Sequence, residues 1–288
     1  MRVFKMVWVV LALMLCSGAW AGQYVQLGSD LELYYEEAGS GKPLVFITGW
    51  TGTNEFFTRY QLPHFAKTYR ALAYDPRSQG RSSKTLENNN YTQHGRDLRD
   101  FIDTLKLKEP VLIAWSSGCH DVYAYFRAYG PDNVRAFVCI DQTPRSTGLQ
   151  PGDWAEFPDY AAAGGFVNGV AYSRRAMTLG FIPTMTQRKM PQAELDWVLD
   201  QSLKTPTYAA TLLAADDSFS DYRAEARAID GKLPVLNILS EANAKAGKAW
   251  LASNAPASEV FVLGNHMMFW EYPEQFNSAV DKFLQKHQ

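Results

Sequence analysis

The stretch Val111–Asp121, VLIAWSSGCHD, decides how the rest of the chain reads. Its first five residues are a continuous apolar run, as a strand buried on both faces requires. A helix opens directly after them, and two serines crowd the join where Asp, Asn or Gly would be ordinary. A strand–x-Ser-x-Gly–helix turn holds a serine at the tip of a strained bend, with its hydroxyl exposed and the next N–H at a helix N-terminus. Strand and helix nearly touch in such a turn, so the residues two before and two after the serine must be small. Centred on Ser116, those positions are Ala114 and Gly118. Centred on Ser117, they are Trp115 and Cys119, and the tryptophan fails sterically. Ser116 is therefore the candidate nucleophile.

On either side of this stretch the chain alternates strand and helix. YVQLG and LELYYEEAG form an opening hairpin with Ser29-Asp30 in its turn. Apolar strands follow at Pro43–Thr48, Tyr69–Asp75, Val134–Asp141, Pro234–Leu239 and within SEVFVLG, and a helix is expected around Glu55–Lys67. Leu98, Phe101, Ile102 and Leu105 recur at helical spacing. The fold class is α/β: a mostly parallel, doubly wound sheet covered by helices on both sides. The segment at about 142–208 breaks the rhythm. It is rich in aromatics and contains Met and Pro, and it is expected to form a helical cap inserted after the sixth strand. A cap there lies over the carboxyl ends of the strands, where open α/β sheets bind ligands.

The first 21 residues, MRVFKMVWVVLALMLCSGAWA, carry early positive charges, an apolar run and an Ala19-x-Ala21 site. They are expected to be a cleavable secretory signal, leaving Gly22 first in a periplasmic or secreted protein. The apolar run from Met6 to Cys16 is too short for a comfortable membrane span. Cleavage leaves Cys119 and Cys139, expected as buried free thiols ahead of a disulfide. A net charge of −2 gives no electrostatic case for nucleic acid or an anionic membrane. No metal cluster, P-loop or dinucleotide fingerprint is visible, so no cofactor is expected.

A serine nucleophile needs a base, and the chain has five histidines. His266 lies in VFVLGNHMMFWEYPEQF, on the loop after the last strand, and is the candidate. His120 follows the elbow by one turn and should point sideways; His64 and His94 read as surface residues. An oxyanion hole needs two N–H donors. Ser117 N–H supplies one, and the turn after the third strand supplies the other through Trp50.

These motifs give the chain a resemblance to the α/β-hydrolase fold superfamily, in its branch of esterases, lactonases and cofactor-free haloperoxidase-like enzymes. FITGWTGT stands where the family has its His-Gly turn, YDPRSQGRSS where it has Asp-x-Arg-Gly-x-Gly-x-Ser, AWSSG at the elbow and GNHMMFWEYPEQF at the histidine loop. Thr48 replaces the family's common His, a change the backbone tolerates. At the usual position of the triad acid the chain has Asn243, which cannot balance an imidazolium as a carboxylate does. The resemblance leaves two replacements: Asp141, at the end of the strand beside the nucleophile strand, and, second, Glu241. Asp75 and Arg77 are expected to tie their loop together. Trp50 and Trp115, fixed beside the serine, are the candidate substrate contacts, ahead of cap aromatics such as Phe166 and Phe181.

The resemblance implies a serine hydrolase, a carboxylesterase or lactonase acting through Ser116, His266 and Asp141 on a small to medium apolar ester or lactone, and the N-terminal segment implies that it is exported. No nucleic-acid partner is expected, and no membrane partner after signal cleavage; oligomeric state is open. Two rivals use the same fold: a cofactor-independent ring-cleaving dioxygenase, and a non-catalytic ligand-binding homologue for which Asn243 argues.

Overall fold

The computed structural model describes residues 22–287, so the expected signal segment lies outside the described residues. One eight-stranded sheet organises them. Its strands are β1 (Gln23–Leu27), β2 (Leu31–Ala38), β3 (Pro43–Ile47), β4 (Arg70–Tyr74), β5 (Val111–Trp115), β6 (Ala136–Ile140), β7 (Val235–Leu239) and β8 (Glu259–Val262). They lie in the order β1-β2-β4-β3-β5-β6-β7-β8. The opening hairpin and the β2–β4 pair are antiparallel; every later pairing is parallel.

The apolar runs have a simple cause. Leu112 and Ala114 of β5 face one core, whereas Val111, Ile113 and Trp115 face a second core on the other side of the sheet. Both faces are buried, so neither alternate position can be polar. Emptying one of them, as in Ile113→Ala, removes side-chain packing worth about 2–5 kcal/mol.

Helices supply the two outer layers. Before the sixth strand these are α1 (Glu55–Thr58), α2 (Gln61–Phe65), α3 (Tyr91–Thr104) and α4 (Gly118–Tyr129). The single helix expected at Glu55–Lys67 is two short ones. Tyr60 leaves helical geometry between them, and Pro63 sits in the first turn of α2, where a missing N–H costs least. Asn90 starts α3 by accepting the Gln93 N–H at 2.8 Å.

The insertion after β6 is helical, as its composition implies. It contains α5 (Tyr160–Phe181), a 3-10 turn at Ile182–Met185, α6 (Gln192–Leu203) and α7 (Thr207–Phe219). The boundary expected near residue 208 therefore falls short: Pro206 precedes a helix instead of ending one, and α7 continues to Phe219. The chain returns to the sheet through α8 (Arg223–Ile229) and finishes with α9 (Ala244–Asn254), α10 (Met268–Glu271) and α11 (Pro273–Lys286).

Register is what places the site. Trp115 pairs with Ile140, and Ile140 with Ile238, so Ser116 and Asp141 leave neighbouring strands at one level beside Leu239 and Ser240.

Candidate active site

Two residues that leave the sheet here have left-handed backbones. Ser116 has φ 54° and Asp141 has φ 49°, conformations that cost a side-chain-bearing residue free energy. Each is anchored by the strand next door. Ser116 N–H donates to Ile140 O at 2.8 Å, and Asp141 N–H donates to Ile238 O at 2.8 Å. The elbow also needs its glycines. A Cβ at Gly118 would stand 2.6 Å from Thr48 O, and one at Gly49 would stand 2.7 Å from Ser116 Cβ. The serine turn and the turn after β3 thus pack backbone to backbone, which explains the small residue two positions after Ser116.

The three side chains expected to act together lie in line. Ser116 Oγ is 3.0 Å from His266 Nε2, and His266 Nδ1 is 2.8 Å from Asp141 Oδ2. The other carboxylate oxygen, Oδ1, accepts Ser240 N–H at 2.8 Å and the Asn243 side-chain amide at 3.0 Å. Burial alone would push the Asp141 carboxyl up; the hydrogen bond and charge of His266, with the Asn243 amide and Ser240 N–H, outweigh it and hold the carboxyl below its ordinary range. Glu241 is elsewhere. Its side chain is exposed, and its N–H bonds to Gly264 O at 2.9 Å.

Asn243 thus still faces the site from the position where the family has its acid. Here it is a donor to the Asp141 carboxylate. Trp115 contributes similarly, because its indole N–H donates to His266 O at 2.9 Å and fixes the histidine loop. The Trp50 and Ser117 N–H groups bond to no other group among the described residues, which leaves both donors available beside Ser116. Gly52 N–H closes the turn that carries Trp50 by bonding to Gly49 O at 3.0 Å.

A narrow cleft of about 30 Å³ opens beside the serine. Trp50 and Trp115 line it with Phe166, Phe181 and Met185 from the cap. Other cap aromatics do different work: Trp154 is buried against Trp250, Trp197 stacks on Trp270, and Tyr172 is exposed. A second chamber, also bordered by His266, runs between Asp141, Asn243 and the cap residue Thr184. Glu156 borders both chambers, and Asp217 borders the first. Neither carboxyl belongs to a motif, so the sequence carried no signal for them.

Of the other histidines, one reverses its expectation. His94 is not on the surface; it is buried in α3 with Nδ1 3.1 Å from Asp121. His120 is fully buried, 2.9 Å from Asp217. His64 is half-buried and 2.7 Å from Asp281. Asp75 does tie its loop, accepting the N–H groups of Asn54 and Arg81 at 2.6 Å each, but Arg77 reaches past the loop to Asp97 on α3. Cys119 and Cys139 are free and buried, with their sulfurs 2.6 Å apart.

A family model described as alpha/beta hydrolase fold matches residues 42–277. Among solved structures, the chain is similar to a bromoperoxidase from Bacillus anthracis, at 23% identity and a TM-score of 0.84, covering 92% of this chain and 100% of that one. An esterase from Exiguobacterium antarcticum is 21% identical with a TM-score of 0.84, over 92% and 100% of the two chains. The enol-lactonase from Burkholderia xenovorans LB400 is 20% identical with a TM-score of 0.76, over 91% and 100%.

Proposed function

Because the chain belongs to the alpha/beta hydrolase family, we propose that it is a serine hydrolase, exported, and acting on a small to medium ester or lactone. The observation that carries this reading is the unbroken line from Asp141 through His266 to Ser116, at 2.8 and 3.0 Å. Esterase and enol-lactonase neighbours support the same reaction class, and the apolar cleft beside Ser116 suits an acyl group.

In this reading Ser116 gives its hydroxyl proton to His266 Nε2 as Oγ attacks the substrate carbonyl carbon. The carbonyl π pair moves onto oxygen, where Trp50 and Ser117 N–H groups meet the negative charge. Asp141 fixes the imidazole through Nδ1 and balances the imidazolium. Collapse of the intermediate breaks the C–O bond to the alcohol, which takes the proton back from Nε2. Water then repeats the sequence on the acyl-enzyme and releases the acid and free Ser116.

The test is chemical. A fluorophosphonate probe applied to the mature protein should label Ser116, and p-nitrophenyl esters or lactones should be turned over. Labelling of another residue, or no turnover across such a panel, overturns the proposal.

A further inference from the structure

The turn that carries Trp50 is gripped from the cap side. Trp50 donates its indole N–H to Ala210 O of α7 at 2.8 Å. The Thr51 hydroxyl lies 2.7 Å from that of Ser202 on α6, and Thr53 donates to Gln201 Oε1 at 2.9 Å. Thr51, Thr53, Gln201 and Ser202 are all buried. Thr51 is also left-handed, with φ 55°. A β-branched residue resists that conformation, so the turn keeps its shape only while its surroundings impose it.

Arg174 joins these ties together. Val170, Arg174 and Thr178 recur at four-residue spacing on the buried face of α5, so a guanidinium stands where an apolar side chain would be ordinary. It donates to Ser202 O and Oγ at 3.0 and 2.9 Å and to the Thr178 hydroxyl. The bond to Ser202 Oγ leaves the serine's own hydrogen for Thr51 Oγ1. Arg174 Cζ also lies 4.7 Å from the centre of the Trp50 ring. Among the described residues no carboxylate bonds to Arg174, and its Nε is buried without a partner. Burial lowers its pKa only to about 10, so it is a cation at neutral pH. A buried cation with no counter-ion is costly, and the Trp50 face offsets only part of that cost.

We propose that Arg174 is a positioning residue: stacked on Trp50 and bonded to Ser202, it holds the Gly49–Gly52 turn in the shape that presents the Trp50 N–H to the oxyanion. This deepens the hydrolase reading and rests on it. The cap is then more than a cover, because α5, α6 and α7 each hold the turn that supplies one of the two donors.

Two ketones read the oxyanion hole without turnover. In a trifluoromethyl alkyl ketone Ser116 Oγ bonds to the carbonyl carbon, its proton passes to His266 Nε2, and the carbonyl π pair moves onto the oxygen that the hole receives. The matched methyl ketone binds without that step. Wild type should bind the fluorinated ketone more tightly. Arg174→Met should lower that ratio of affinities, together with kcat/KM for p-nitrophenyl butyrate, by about 10–100-fold, less than the roughly 10²–10³ lost with a deleted donor. The methyl ketone's Kd should change little. Ser202→Ala, which keeps the cation but cuts its link to Thr51, should lose a smaller part, and Arg175→Met, one residue on and exposed, should lose nothing. A ratio unchanged in Arg174→Met overturns the proposal, as does one unchanged in Ser202→Ala should Arg174→Met not fold. Equal weakening of both ketones also overturns it, because the whole cleft would then have changed. A wild type that binds both ketones alike overturns the hydrolase reading instead, and the tie is then read on Trp50 itself. Its indole N–H resonance, identified by its loss in Trp50→Phe, should shift in Arg174→Met; a resonance that stays in place overturns the tie.

Discussion

Two His–Asp pairs sit within one cap's reach of each other, and only one is arranged for catalysis. His266 and Asp141 are 2.8 Å apart, and His120 and Asp217 are 2.9 Å apart. The difference lies at the other ring nitrogen. His266 Nε2 faces a hydroxyl, Ser116 Oγ, from which it can take a proton, and its side chain is 19% exposed to the cleft. His120 Nε2 faces Thr143 O at 3.0 Å, and its side chain is 0% exposed. The Gln142 side-chain amide also lies 3.2 Å from His120 Nε2, and neither it nor a carbonyl is a group that an imidazole can deprotonate to make a nucleophile. A histidine beside a carboxylate is therefore a structural tie until its second nitrogen meets something it can deprotonate.

The largest effect should come from removing that something. Ser116→Ala should lower kcat by about 10⁵-fold or more, measured on whichever ester the wild type turns over best. Ser117→Ala should keep most activity, since only its backbone N–H is asked to act. If Ser117→Ala is instead the dead protein, the catalytic serine has been misassigned by one residue. Asp141→Asn comes next. It keeps the shape but removes the charge that balances the imidazolium, and kcat should fall by about two to four orders of magnitude. Glu241→Gln should change it little, because that side chain is exposed and away from His266. Equal losses in the two variants would break the contrast between the carboxylates.

His120→Gln should weaken the fold more than the chemistry. It leaves the buried Asp217 without its cation, a change costing about 3 kcal/mol where such pairs are broken. The pH dependence has a definite sign. Burial alone would lower the His120 pKa, but the charge and hydrogen bond of Asp217, the Thr143 carbonyl and the charge of Asp121 together raise it above its ordinary value. A raised folded value gives stability that is fully present below the unfolded pKa and is lost as pH rises through the folded one. The gap in melting temperature between wild type and His120→Gln should therefore be widest at mildly acidic pH and narrow toward alkaline pH. A gap that widens with pH would show that the pair is not held as an ion pair.

The sequence made the His266–Asp141 pair legible and left the His120–Asp217 pair hidden, for physical reasons. Ser116 lies where steric demands admit few residues, and Asp141 ends an apolar strand whose register sets it beside Ser116 and against His266. His94 did carry a signal. It precedes Leu98 by four residues and so shares the face of Phe101 and Ile102, although a charged or polar side chain there reads as solvent-facing. His120 had no such signal, because α4 is buried on every side from Gly118 to Phe126 and has no polar face for comparison. Glu156 could not be found at all. Its place depends on how a motif-free tongue folds back on Ser146, a long-range arrangement that no local pattern encodes.

The smallest effect tests what Asn243 does now. Its amide donates to Asp141 Oδ1 at 3.0 Å, leaving Oδ2 free to face His266. Asn243→Ala removes one of two donors on Oδ1 while Ser240 N–H remains. One hydrogen bond to a charged group is worth about 1.5–3 kcal/mol, and only the part that orients His266 reaches the transition state. The expected loss is therefore about tenfold in kcat, with KM little changed, because Asn243 touches the acid and not the cleft beside Ser116. Asn243→Asp is the sharper variant. It sets a second carboxylate against Asp141, so the two should share a proton and the acid limb of the kcat profile should move to higher pH. In the Asp141→Asn background the same substitution restores a carboxylate to the loop facing His266 and should recover part of the lost rate. An acid limb that does not move, with no recovery in the double variant, would mean that Asn243 packs the loop without orienting the acid.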